Sequence, residues 1–193
     1  MYQEVEPRMI TADEFEAMLA AGIFDDEHDR VELLDGRIYS LAPPESEGHR
    51  RTITRLNRLL TTRFPEPYLI QPQQTLRLGK HNVPQPDFVV YRRDDTNLPY
   101  ADPGEVVLLV EVSQSSLRKD RLIKAPIYAR HSMSEYWIVN VARRELEIYS
   151  DPLDGIYRSL HTFGPTEMIV SRVFPGPPLK PIEFILEVGR PEL

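Results

Sequence analysis

The chain has 193 residues, 23 Lys plus Arg against 30 Asp plus Glu, and no cysteine. That length predicts one domain able to bury a core without staples, and the lack of cysteine excludes disulfide scaffolds, thiolate zinc sites, iron–sulfur clusters and cysteine nucleophiles. A net charge of −7 argues against attraction of nucleic acid by the whole surface and leaves room for a local basic groove.

Hydrophobic residues at 41% and charged residues at 27% describe a folded chain rather than a disordered one. No apolar run approaches the ~18 residues of a membrane span, and the first ten residues carry no apolar signal core. The expectation is a cytoplasmic protein with no membrane partner. Eighteen prolines punctuate loops, chiefly at 65–72, 84–86 and 175–181.

Thr11-Ala-Asp-Glu14 reads as a capping box, followed by Phe15, Met18, Leu19 and Ile23 on one helical face, with Gly22 as the stop. Asp35-Gly36 lies between two β-prone runs spanning 30–41, a hairpin signal, with Glu32 and Leu34 on one face. Glu47 to Arg63 reads as a helix in which His49, Ile53, Leu56 and Leu60 follow at helical spacing. Its other faces are basic: Arg50, Arg51, Arg55, Arg58 and Arg63 against Glu47 leave a surplus of +4.

Strands are expected at 69–78, 87–91 and 106–113, the last an unbroken apolar run suited to burial on both faces. A helix over 117–130 follows, kinked or divided at Pro126. Further strands fall at 135–141 and 145–149, with shorter ones near 157–162 and 168–170. Helices and strands intermix, which predicts an α/β fold with a mixed sheet.

Glu111 stands at the end of the most apolar strand, where a carboxylate requires a cation, a metal or a proton. Asp87 follows Pro86 at the start of another strand, in phase with Val89 and Tyr91, while Glu111 is in phase with Leu109 and Ser113. If those strands are neighbours the two carboxylates converge. Such an all-oxygen pair suits Mg2+ or Mn2+, and phosphoryl transfer is the chemistry that most often needs such an ion. Lys124 is the cation that strengthens it, sharing a helical face with Asp120 at i, i+4.

Taken together, Glu32-Leu-Leu-Asp-Gly36, the stretch from Pro43-Pro44 to His49, Pro86-Asp87, Glu111-Val-Ser113, Ser115-Ser116, Asp120, Lys124, Tyr128 and Glu135-Tyr-Trp137 resemble the Uma2 family of restriction-type endonucleases within the PD-(D/E)XK superfamily. The resemblance implies a single restriction endonuclease-like domain over 1–193: a helix and hairpin at 11–41, a nuclease core at about 47–141 and C-terminal strands at 145–188. It implies metal-dependent cleavage of DNA, with Asp87 and Glu111 as ligands and the Val112 carbonyl as a third donor. The lysine of the superfamily pattern, two residues after the Glu, is Ser113 here, and the ammonium maps onto Lys124. Glu32 becomes an additional acid near the metal, and His49 a pocket residue.

Each assignment has a plainer alternative. Glu32 can pair across its hairpin, His49 can be a hydrogen-bonded core residue, Lys124 a solvated cation, and Asp120 an orienting acid of the first helical turn. A second basic cluster, with Arg118, Lys119, Arg121, Lys124 and Arg130 against Asp120, flanks the proposed site and, with Arg50 and Arg51, forms the expected rim for a phosphate backbone. A homodimer is expected by analogy with enzymes that cut two strands, with Tyr100, Tyr136 and Trp137 as interface aromatics. The rival to an endonuclease is a catalytically silent dimeric module of the same fold that binds nucleic acid or protein; an RNA or repair nuclease would share the site.

Overall fold

The computed structural model describes residues 7–24, 30–40, 46–92 and 102–185. Thr11 caps helix α1 (Ala12–Ala20): its hydroxyl accepts the Glu14 N–H, and the Glu14 carboxylate accepts the Thr11 N–H at 2.9 Å. The hairpin forms as its turn dictates. β1 (Val31–Leu34) and β2 (Arg37–Ser40) pair antiparallel around Asp35 and Gly36, both left-handed at φ 46° and 70°.

Six strands make the main sheet in chain order: β3 (Tyr68–Pro72), β4 (Phe88–Arg92), β5 (Val106–Ser113), β6 (Glu135–Asn140), β7 (Glu145–Leu153) and β8 (Ile156–Phe163). Every neighbouring pair is antiparallel except β5 and β6. A parallel pair needs a crossover connection, and the chain supplies one as α3 (Leu117–Lys119), a wide π turn (Asp120–Lys124) and α4 (Ala125–Arg130).

Strand alternation divides the core in two. Leu108, Val110 and Val112 of β5 pack with Phe88, Val90, Trp137 and Val139 against Leu56 and Leu60 of helix α2 (Glu47–Arg63). Leu109 and Val89 point the other way, toward Tyr128, Tyr136 and Ile138, where Leu34 also packs. Glu111 and Ser113 belong to this second face, as does the position of Asp87, two residues before Val89. The hairpin packs through Leu33 with Ala12, Phe15 and Val83.

Several expectations are corrected. The strand expected over 69–78 stops at Pro72, which has no N–H to extend a ladder. Gln73 turns at φ 53°, and the chain runs out and doubles back, so that the Leu76 N–H meets the Pro84 carbonyl and the Leu78 N–H that of Asn82. Leu19 and Ile23 are exposed, because the nine-residue α1 buries only Ala12 and Phe15. No strand forms at 168–170; the Ile169 N–H instead donates to Leu179, tucking Ile169 into the core. Tyr136 and Trp137 are wholly buried, so neither lies at an interface: Tyr136 stacks edge-on with Tyr128, and the Trp137 indole N–H donates to Glu135 at 2.6 Å. Tyr100, their expected companion, falls outside the described residues.

Candidate active site

The register of β4 and β5 positions the two acids. Phe88 faces Val110 and Val89 faces Leu109, so continuing the ladder one residue sets Asp87 opposite Glu111. Asp87 lies just before β4, and its carboxylate accepts the Val112 N–H at 2.7 Å. That bond replaces the rung the ladder would otherwise have supplied. The Val112 carbonyl points to the same flank as its N–H, as both do for any one strand residue.

The crossover delivers the cation. Lys124 is 1% exposed, and its ammonium lies 2.7 Å from Glu111 and 2.8 Å from Glu32. The π turn carries both Asp120 and Lys124 inward, and such turns recur at functional sites because they re-aim side chains within a helix. Within it the Ala125 N–H reaches back to Asp120, and Pro126, having no N–H, follows at the start of α4. Tyr128, one turn after Lys124, brings its hydroxyl to 3.4 Å from Glu111.

Asp120 does not pair across to Lys124. One of its oxygens accepts the hydroxyls of Ser113 at 2.5 Å and Ser116 at 2.6 Å, and the other is buried with no hydrogen-bond partner. Ser113, standing where a strand lysine was expected, therefore serves Asp120. Glu32 pairs neither across its hairpin nor with another acid: it accepts Lys119 at 2.7 Å, Lys124, and the Gln85 N–H at 3.3 Å. His49 is buried on α2 with Nε2 3.8 Å from Asp87.

These groups line one cavity of about 380 Å³, walled by Asp87, Glu111, Val112, Asp120 and Lys124 on the sheet and crossover side and by His49 and Arg50 on the α2 side, with Arg30, Gln73, Gln85, Ser116 and Lys119 around them. Burial pushes Glu111 well above the ordinary carboxylate range; Lys124 opposes this, while Asp120, Asp87 and Glu32 add to it. Burial likewise raises Asp120, against Lys124 and its two serine donors. For Glu32 the burial effect is outweighed by Lys124 and Lys119, which hold it below its ordinary value. Lys124 is driven the other way: burial favours its neutral form, but Glu111, Tyr128, Glu32 and Asp120 keep it well above the ordinary lysine range. Four carboxylates thus surround two ammoniums.

The expected basic rim is thinner than its sequence. Arg121 is spent on Glu147 of β7, which it grips through two nitrogens, and Arg130 on Asp35 at 2.6 Å, so neither faces the cavity. Arg51 pairs with Glu47 one turn back on the exposed side of α2. Arg50 and Lys119 do line the cavity, Lys119 while paired with Glu32, and Arg118 stands exposed beside it. Gln73, Gln85, Arg30 and the Ser116 hydroxyl were not anticipated; only Ser116, four residues before Asp120, left a signal, and Tyr128 left one in its spacing of four from Lys124.

Among the described residues no three acidic or histidine side chains gather as a ready-made metal cage, and none of their helices is long and apolar enough to cross a membrane. No curated protein matches the chain. A solved structure of a putative nuclease belonging to DUF820, from Anabaena variabilis, shares the fold at a TM-score of 0.64, covering 91% of this chain and 97% of that one at 16% identity. The model of the Uma2 family, described as a putative restriction endonuclease, matches residues 12–182. Matched over that span, with the six-strand mixed sheet and its helical crossover in place, the chain belongs to the Uma2 family of putative restriction endonucleases.

Proposed function

We propose that this protein is a divalent-metal-dependent DNA endonuclease whose centre is Asp87, Glu111 and Lys124. The observation that carries the reading is the juxtaposition across the end of β5: two acids in register, and a buried ammonium 2.7 Å from one of them. The donor set fits a hard cation. Asp87 and Glu111 offer carboxylate oxygens and Val112 a carbonyl on the same flank, and Mg2+ is commonly held by one or two carboxylates plus waters rather than by a full protein cage. The surplus of carboxylates over ammoniums and the unpartnered oxygen of Asp120 favour the same ion.

When bound there, Mg2+ or Mn2+ supplies Lewis acidity toward a phosphate oxygen and a more acidic water. The chain's own residues do the rest. Lys124 has three N–H donors; Glu32 and Glu111 take two, and the third is available to the non-bridging phosphate oxygens as negative charge builds on them. Glu32, braced by Lys119, fixes the ammonium by its second contact. Arg50 and Lys119 line the approach and are placed to hold backbone phosphates. His49 lies too far from Asp87 for a hydrogen bond and acts as cavity wall.

Purified protein is expected to nick supercoiled plasmid DNA with Mg2+ or Mn2+, and EDTA is expected to stop it; nicking that persists in EDTA would reject the reading. One observation favours the silent alternative: Lys124 already bridges Glu32 and Glu111, so Glu111 has a counter-charge without an ion. Absence of saturable Mn2+ binding that depends on Glu111, together with no cleavage of any DNA, would select that alternative.

A further inference from the structure

A second recess adjoins the cavity. It has a volume of about 560 Å³ and is lined by Tyr39, Arg118, Lys119, Leu122 and Ile123 together with serine hydroxyls. It shares Ser116 and Lys119 with the acidic cavity, so the two adjoin at those residues. Its construction follows from elements already in place. The π turn that aims Asp120 and Lys124 inward leaves Leu122 outward at 64% exposure. Tyr39 stands opposite Glu32 in the hairpin register, and Glu32 holds Lys119. The recess is therefore apolar on one side and cationic on the side toward the cavity.

Resting on the nuclease reading above, we propose that this recess takes one unpaired nucleotide next to the scissile phosphate, making the substrate a nucleic acid with a single-stranded segment at the cut. A duplex presents phosphates and the edges of its bases, and keeps the flat faces of those bases inside the stack. An unpaired base lays its flat face on aromatic and aliphatic side chains while its phosphate meets nearby cations. Leu122, Ile123 and Tyr39 offer the first surface, and Arg118 and Lys119 the second. Because Lys119 and Ser116 border both hollows, a base in the recess stands next to a backbone phosphate at the cavity.

The test is fluorescence anisotropy in EDTA with two fluorescein-labelled probes, a blunt DNA duplex and the same duplex carrying a single-stranded tail. The wild-type protein is expected to bind the tailed probe about tenfold more tightly, in keeping with one stacked base. Leu122→Glu, an exposed change compatible with folding, is expected to cut that preference to about twofold or less. Leu160→Glu, also at an exposed position, on β8, is expected to keep it. Equal binding of both probes by the wild type, or a tenfold preference surviving in Leu122→Glu, overturns the proposal. With Mn2+ added, equal cleavage of both probes also overturns it while the nuclease reading stands. A tenfold preference with no cleavage of either probe sinks the nuclease reading and supports the recess as a binding site.

Discussion

Replacing Asp87 with alanine is expected to lower plasmid nicking by about 100-fold or more while leaving the protein folded, because the change removes one of the two carboxylate donors of the proposed metal centre. The fold is expected to survive because Asp87 is partly exposed and lies outside the ladder, its structural contributions being one bond from Val112 at 2.7 Å and the looser approach of His49 at 3.8 Å. Losing that acceptor costs about 1 kcal/mol, a small part of a domain's stability. Asp87→Asn separates the two roles. It keeps a carbonyl oxygen for the Val112 N–H but gives up the charge, so it is expected to melt like the wild type and to lose activity as alanine does. Nicking retained within a few-fold in both variants would show that Asp87 only closes the end of the strand.

Lys124→Met is expected to have the largest effect on stability, about 3–5 kcal/mol by urea denaturation. The side chain is wholly buried and answers two carboxylates, so its loss leaves Glu32 and Glu111 facing one another with only Lys119 nearby. Methionine fills the volume and isolates the charge effect from a packing defect. Adding Glu32→Gln to Lys124→Met is then expected to cost less than the two single changes summed, since the second removes a charge that the first orphaned. Strict additivity would show that Lys124 and Glu32 are not energetically coupled. The same single variant should also nick poorly, for want of the donor to the phosphate.

Much of this arrangement is legible in the sequence because local chemistry and the final fold agree. The apolar run of β5 ends in Glu111, and Pro86 marks the approach to the strand that follows Asp87, so alternation gives each acid its phase and the pairing of β4 with β5 then puts both on one face. The i, i+4 spacing of Asp120 and Lys124 survives even though the turn between them is wider than an α-helix. What escaped were long-range partners. Arg121 and Arg130 look like a phosphate-binding rim in one dimension, and only the folded sheet shows that Glu147 and Asp35 claim them. Glu32 reads as a metal-side acid until the crossover delivers two lysines to it. Leu19 and Ile23 fit a helical stripe, yet α1 is too short and too peripheral to bury the whole of it. Apolar periodicity reports which face can be buried, and the neighbouring elements decide how much of it is.

The central claim is that Asp87 and Glu111 share one divalent ion. A crystal soaked in Mn2+, with data collected at the manganese edge, tests it directly. An anomalous peak between the two carboxylates, absent from a soaked Glu111→Gln crystal, is the predicted result; no peak there, or a peak undiminished in the variant, would contradict it.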